Sequence, residues 1–198
     1  LSLVVTREDQ STSSVAVDKV DFFPVNSTDP SLRGKYYVRF TPRIAGLLSI
    51  KFIIGGEALV NPADGLPFTA TVTPSVPVTS QTSVYGAGLK SAAMGRNNSI
   101  NVLAGDAFGN PITKTRPVSA SGAPLDIKCT FVAAASGGST TPAAAAIENM
   151  PQNTVYIGNG VSTVYFTPPT HESTYTINVK VVIDGNEVPG QHDVVVRP

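Results

Sequence analysis

The chain has 198 residues with 14 basic and 14 acidic side chains, a balance that leaves no overall field to attract nucleic acid or an anionic membrane surface. It carries 17 Gly, 16 Pro, one Cys and no Trp, which suits many short strands joined by turns and excludes long helices. No apolar run approaches the roughly 18 residues that span a bilayer, and LSLVVTRED at the start lacks the basic flank of a signal peptide. The chain therefore reads as a soluble piece of something longer, with no direct membrane insertion in this fragment.

In chain order, LSLVV at residues 1 to 5 reads as a strand, and VNSTDPSLRG at residues 25 to 34 as an exposed loop holding a glycosylation sequon at Asn26. In GKYYVRFTP, residues 34 to 42, a period of two puts Tyr36, Val38, Phe40 and Pro42 on the inward face. Lys35, Tyr37, Arg39 and Thr41 then meet water. Pro42 cannot donate a ladder hydrogen bond and ends the strand. Residues 43 to 46 then carry the chain to the opposing sheet, with Gly46 permitting the crossing. Leu48, Ile50, Phe52 and Ile54 resume the inward set, and Gly55-Gly56 turns a hairpin towards the last strand, FTATVTP at residues 68 to 74. PSVPVT, residues 74 to 79, is a short Pro-rich linker predicted to restrict hinge motion.

Beyond the linker come SVYGAGL, a second sequon at Asn97, and the alternating strand SINVLAGD. YGAGLKSAAMG lacks the third Gly of GxGxxG and follows no parallel βα pattern, so it is not read as a phosphate loop. DAFGNP lacks the ligand density of a calcium loop, and its Asp106 and Asn110 are expected to cap a turn. LDIKCTFVA, residues 125 to 133, is a strand in which the lone Cys129 is a small buried hydrophobe with no disulfide partner. AAASGGSTTPAAAA follows it, low in complexity and in side-chain volume.

The chain repeats itself. GKYYVRFTP at residues 34 to 42 recurs as GVSTVYFTP at residues 160 to 168, an offset of 126. LLSIKFII, residues 47 to 54, aligns with TYTINVKV, residues 174 to 181, with two additional residues after it in the second copy. An even-numbered extension keeps every side chain on its face. LSLVV resembles LDIKC, and FTATVTP resembles HDVVVRP at residues 192 to 198. Duplication is the simplest account. The second copy has residues 75 to 124 ahead of its LDIKC strand and the first has nothing comparable. A seven-strand sandwich needs roughly 100 residues. The expected fold is all-β: tandem immunoglobulin-like antiparallel β-sandwiches, the first, residues 1 to 74, incomplete at its N-terminus, the second, residues 75 to 198, complete. The missing strands were either trimmed away or are supplied by another segment through edge addition.

The order of YGAGL, a strand ending DAFGNP, a Gly-led strand ending aromatic-Thr-Pro, and a glycine-turn hairpin with GLPF before the last strand of the first copy resembles the immunoglobulin-like repeat of the filamin family. The match covers all of the second copy and the later strands of the first. Bacterial invasin-type immunoglobulin-like domains share the DxxGNP turn. The filamin resemblance implies that a peptide partner adds along LDIKCTFVA, making Ile127, Cys129 and Phe131 a candidate partner-strand edge; the small side chains of AAASGGSTTPAAAA after it are expected to leave that edge loosely covered or open. It also implies neighbouring repeats of the same chain as partners.

His171 and His192 have no Cys or His at metal-ligand spacing, and no GxSxG, HExxH or paired-carboxylate arrangement stands out. A non-enzyme without cofactor or metal is expected. The charged fraction of 14%, against roughly 25% in ordinary soluble domains, and the polar loops favour a cell-surface or extracellular adhesive glycoprotein. This chain would be a spacer and protein-interaction segment of its multi-repeat rod. The alternative is a repeat of a cytoplasmic scaffold or actin crosslinker.

Overall fold

Alternating side chains build strands throughout a computed structural model that describes residues 2–7, 10–14, 17–24, 36–113, 117–134 and 142–198. These form two compact units, Leu1–Pro74 and Ser75–Pro198.

Unit 1 contains β1 (Ser2–Arg7), β2 (Gln10–Ser14), β3 (Val17–Pro24), β4 (Tyr36–Pro42), β5 (Gly46–Ile54), β6 (Glu57–Leu59) and β7 (Phe68–Val72). β5 pairs with β1 on one side and with β6 and β7 in succession on the other, and β2 extends the sheet beyond β1. β3 and β4 form a separate two-stranded sheet. The stretch between β4 and β5 is thus a sheet-switching corner, with Pro42 as the last residue of β4 and Gly46 at φ 132°. Gly55 and Gly56, at φ 60° and 92°, give the tight hairpin the two positive angles that its twist demands.

Val38, Phe40 and Pro42 are half-buried while Arg39 and Thr41 are exposed, as a two-faced strand requires. Among the described side chains of this unit, Val5, Leu48 and Ile50 are buried, and Leu3, Phe40, Ile44 and Val72 pack around Val5 and Leu48. Ile54 departs from its expected inward role and is 49% exposed. Its counterpart in unit 2, Ile183, is only 5% exposed and sits in the core cluster against which Leu125 packs, beside a groove that Val78 of the unit's first strand also lines. Unit 1 has no matching strand among its described residues.

Unit 2 contains β8 (Pro77–Tyr85), β9 (Ser91–Ala93), β10 (Asn98–Asp106), β11 (Ile127–Ala133), a short helix α1 (Ala144–Glu148), β12 (Gln152–Gly158), β13 (Val161–Phe166), β14 (Tyr175–Ile183), β15 (Asn186–Glu187) and β16 (His192–Arg197). One sheet runs β12-β13-β10-β8; the other runs β11-β14-β16-β9, with β15 beside the end of β14. All pairings are antiparallel except that of β9 with β16. Ile100, Val102, Val164 and Phe166 from the first sheet meet Cys129, Phe131, Ile177, Val179 and Val194 from the second. The rings of Phe131 and Phe166 lie 5.2 Å apart at its centre. The Ala-rich stretch after β11 is partly helical, as alanine favours, and drops Ile147 into the same core.

The two copies align differently from the sequence expectation. β5 and β14 each have nine residues and both lead into a two-residue turn, so Ile50 stands where Val179 does: opposite Phe68 in one unit, opposite His192 in the other. The additional residues of the second copy therefore precede β14 instead of following it. β1 also shifts by two, because Val5 faces Ile50 as Phe131 faces Val179. Both slips are even-numbered, so the inward faces are unchanged.

Two sequence motifs find packing roles. A Cβ on Gly88 would come within 2.5 Å of the Ser99 carbonyl oxygen, so the Gly-rich stretch lets a 3-10 turn lie against β10. The Asp106 carboxylate accepts from the backbone N–H groups of Ser75, Phe108 and Asn110 at 2.9 to 3.1 Å, and from the Asn110 amide. It closes the DAFGNP turn and ties down the first residue of the unit.

A candidate partner-binding edge

β11 is the outermost strand of its sheet and β12 the outermost strand of the other, so unit 2 brings two sheet edges together along one side. Burial alternates along β11: Ile127, Cys129 and Phe131 point into the core, Lys128 and Thr130 are exposed, and Val132 is 50% exposed. Backbone groups alternate in the same way. Since β14 takes the even-numbered residues, the N–H and C=O groups of Ile127, Cys129 and Phe131 face away from the sheet. The candidate residues are therefore brought together on one edge, but their side chains are not available to a partner; only their backbone is.

Part of that backbone is already occupied. Cys129 N–H donates to Gln152 Oε1 at 2.8 Å, and Gln152 Nε2 donates back to the Cys129 carbonyl at 2.8 Å. Thr154 Oγ1 donates to the Ile127 carbonyl at 2.6 Å. A primary amide has one acceptor and two donors in a plane, so Gln152 presents to Cys129 what a neighbouring strand would. The expectation of a loosely covered or open edge is corrected here: two side chains of β12 close its first half. Beside them a groove of about 390 Å³ runs between Asp126, Lys128, Gln152 and Asn153.

Cys129 behaves as a core residue. Burial pushes its thiol up to about 12, so it stays protonated through neutral and mildly alkaline pH. Native protein is expected to react with a thiol-specific reagent at least a hundredfold more slowly than urea-unfolded protein at pH 8, read by absorbance of the released chromophore.

The remaining candidates lie apart from this edge. Asn97 is exposed in the turn before β10, where the Asn98 amide holds Ala93 and Arg96 and leaves its neighbour facing solvent. Asn26 lies outside the described residues. His171 Nδ1 accepts from the Ser173 N–H at 3.2 Å and its ring meets Tyr175 edge-on; His192 stands on β16 opposite Val179. Among the described residues no three His, Cys, Asp or Glu side chains converge to hold a metal, and no helix is long and apolar enough to cross a membrane. A second groove of about 310 Å³, between Val78, Thr82, Leu125 and Ile183, has Asp184 as its one ionisable lining residue. Sequence reasoning missed Gln152 and Thr154. Their only signal was polar character on the inward phase of a strand.

The profile of the Filamin/ABP280 repeat matches residues 76–191. No curated protein sequence matches the chain. Among solved structures, the Lin-41 filamin domain is 18% identical, with a TM-score of 0.42, over 62% of this chain and 98% of that one. FdeC, an Escherichia coli adhesin, is 16% identical with a TM-score of 0.47, over 92% of this chain and 52% of that one. InvD of Yersinia pseudotuberculosis is 18% identical with a TM-score of 0.46, over all of this chain and 47% of that one. The chain thus spans about half the length of these last two structures. With its matched segment filling most of unit 2 and a two-sheet antiparallel body around it, the chain belongs to the Filamin/ABP280 repeat family.

Proposed function

We propose that this chain is a non-catalytic spacer and protein-interaction segment of a larger multi-repeat rod. Residues 1–74 form a partial repeat within it and residues 75–198 a complete one. A peptide partner adds as a strand along β11, displacing the Gln152 amide from Cys129 and continuing past Phe131. The observation that carries this reading is the edge itself: a strand whose outward backbone is satisfied at Cys129 by one exchangeable side chain. Replacing two side-chain hydrogen bonds with two from an incoming strand is nearly neutral, so affinity comes from the further pairs and from side-chain contacts.

The rod belongs to a cell-surface or extracellular adhesive protein bearing sugar on Asn97 and Asn26, a setting that the low charged fraction of 14% supports. Mass spectrometry of protein from its native source should find glycan at Asn97, and unmodified peptides at both sequons would remove the argument for that compartment. For the edge, a random-peptide display library is selected against the intact chain. Selected peptides are expected to slow amide exchange at Cys129 and Phe131. Gln152→Ala is expected to tighten them several-fold at a cost of about 1 kcal/mol in the stability of unit 2. Peptides that bind elsewhere, or bind Gln152→Ala no better, would overturn the assignment.

A further inference from the structure

We propose that the outer face of the sheet β12-β13-β10-β8 is a self-association surface, on which a second copy of this chain packs sheet on sheet. With Ile100, Val102, Val164 and Phe166 turned into the core, the residues between them face outward. One outward row crosses all four strands: Val155, Thr163, Asn101 and Tyr85 stand opposite one another in turn. Val155, Tyr85 and, at the bulge of β12, Ile157 are exposed large side chains.

The face carries no charge at neutral pH. These four strands contain no Lys, Arg, Glu or His, and their one Asp, Asp106, is buried in its turn. The opposite sheet of the same unit carries Lys128, Lys180, Glu187, Asp193 and Arg197. That contrast selects the occupant. In a two-fold contact a patch meets its own copy, so a cluster of one sign would face itself. A neutral, partly apolar face meets no such repulsion and offers a charged partner nothing to pair with.

The polar groups of the face are prepared for removal from water. Thr163 Oγ1 donates to Asn101 Oδ1 at 2.8 Å across the two strands, and Thr163 is only 3% exposed. A hydroxyl paired within the face costs little to bury. The same bond occupies an acceptor that a sugar hydroxyl would use, which favours protein over carbohydrate. Four strands spaced roughly 4.8 Å apart, over the six residues of β13, cover roughly 400 Å². That is about half of what each partner buries in a stable complex of standard size. Contact between single chains is therefore weak and gains strength where several copies meet along two rods. That gain rests on the multi-repeat reading; the pairwise contact does not.

Sedimentation equilibrium of the intact chain is the test. Its weight-average mass is expected to rise from 20.6 kDa towards twice that value between about 10 µM and about 1 mM, as suits a small interface. The double variants Val155→Lys/Ile157→Lys and Val155→Glu/Ile157→Glu should each weaken the dimer at least tenfold, and an equimolar mixture of the two should recover it. Recovery in the mixture excludes misfolding as the cause of the loss. Val132→Lys, exposed on the opposite sheet, should have no effect. A chain that stays monomeric to about 1 mM overturns the proposal, whether or not a neutral oligosaccharide perturbs Tyr85. A dimer that the Lys and Glu variants leave intact also overturns it, since the contact would then lie on another surface, such as the β11 edge. Peptides selected for that edge should bind the Lys variant as tightly as the parent, so the two readings fail separately.

Discussion

Phe166→Ala is expected to lower the stability of unit 2 by about 4 kcal/mol, while Phe40→Ala lowers that of unit 1 by no more than about 2 kcal/mol. The two residues hold the same place in the repeated aromatic-Thr-Pro motif, so sequence alone would assign them equal weight. Their surroundings differ. Phe166 is 1% exposed, packs its ring against Phe131 at 5.2 Å, and has the 3-10 turn at Gly88 against its edge. Removing it leaves a cavity whose walls belong to two sheets and cannot close without moving both, and it forfeits an aromatic pair of roughly 1 kcal/mol. Phe40 is half-buried and, among the described side chains, packs beside Val5 and Leu48. Water can fill part of the space it leaves, so the cavity term is small. Urea unfolding followed separately in each unit by hydrogen exchange should resolve the two losses, because a single transition for the whole chain would violate two-state bookkeeping. Equal losses would mean that unit 1 packs Phe40 as tightly as unit 2 packs Phe166.

That comparison marks how far the sequence could be read. The sheet-switching corner at Thr41-Pro42, the paired glycines at the hairpin, the buried Cys129 and the Asp106 turn were all legible, since each depends on residues within a few positions of one another. Face assignment survived even the misplaced insertion before β14, because both slips were even-numbered. Neighbours across sheets were not legible. Alternation tells which way Gln152 and Thr154 point, but not that β11 will lie within hydrogen-bond reach of them, and so the candidate edge was read as loosely covered or open when two side chains close part of it. Ile54 was misjudged for the same reason: its period is inward, yet inward is a buried place only where an opposing strand exists. The Ala-rich stretch after β11 carried no apolar periodicity beyond Ile147, so its helical turn had no pattern to announce it.

Asp106→Ala is expected to cost unit 2 about 3 kcal/mol, and the loss should depend on pH in a direction fixed by the site. The residue is 2% exposed, and burial alone would push its carboxyl up. The Asn110 amide and the N–H groups of Ser75, Asn110 and Phe108 outweigh that and hold the carboxyl below its ordinary value. Removing the carboxylate takes this acceptor from a set of part-buried donors, and a donor left unsatisfied costs roughly 1 to 3 kcal/mol unless water reaches it. Because the folded value lies below the unfolded one, the folded state binds its proton less readily than the unfolded chain does. Stabilisation by the carboxylate is therefore complete above the unfolded value, about 3.9, and is lost as the pH falls through the folded value. Asp106→Asn keeps the shape and removes the charge, so its deficit relative to the parent should be largest at neutral pH and shrink on acidification below about pH 4. The difference between the two stability curves, taken from urea unfolding at matched pH, isolates this group from the other carboxylates. A difference that is flat with pH, or that grows as acid is added, would mean that Asp106 is not held as an anion by these four donors.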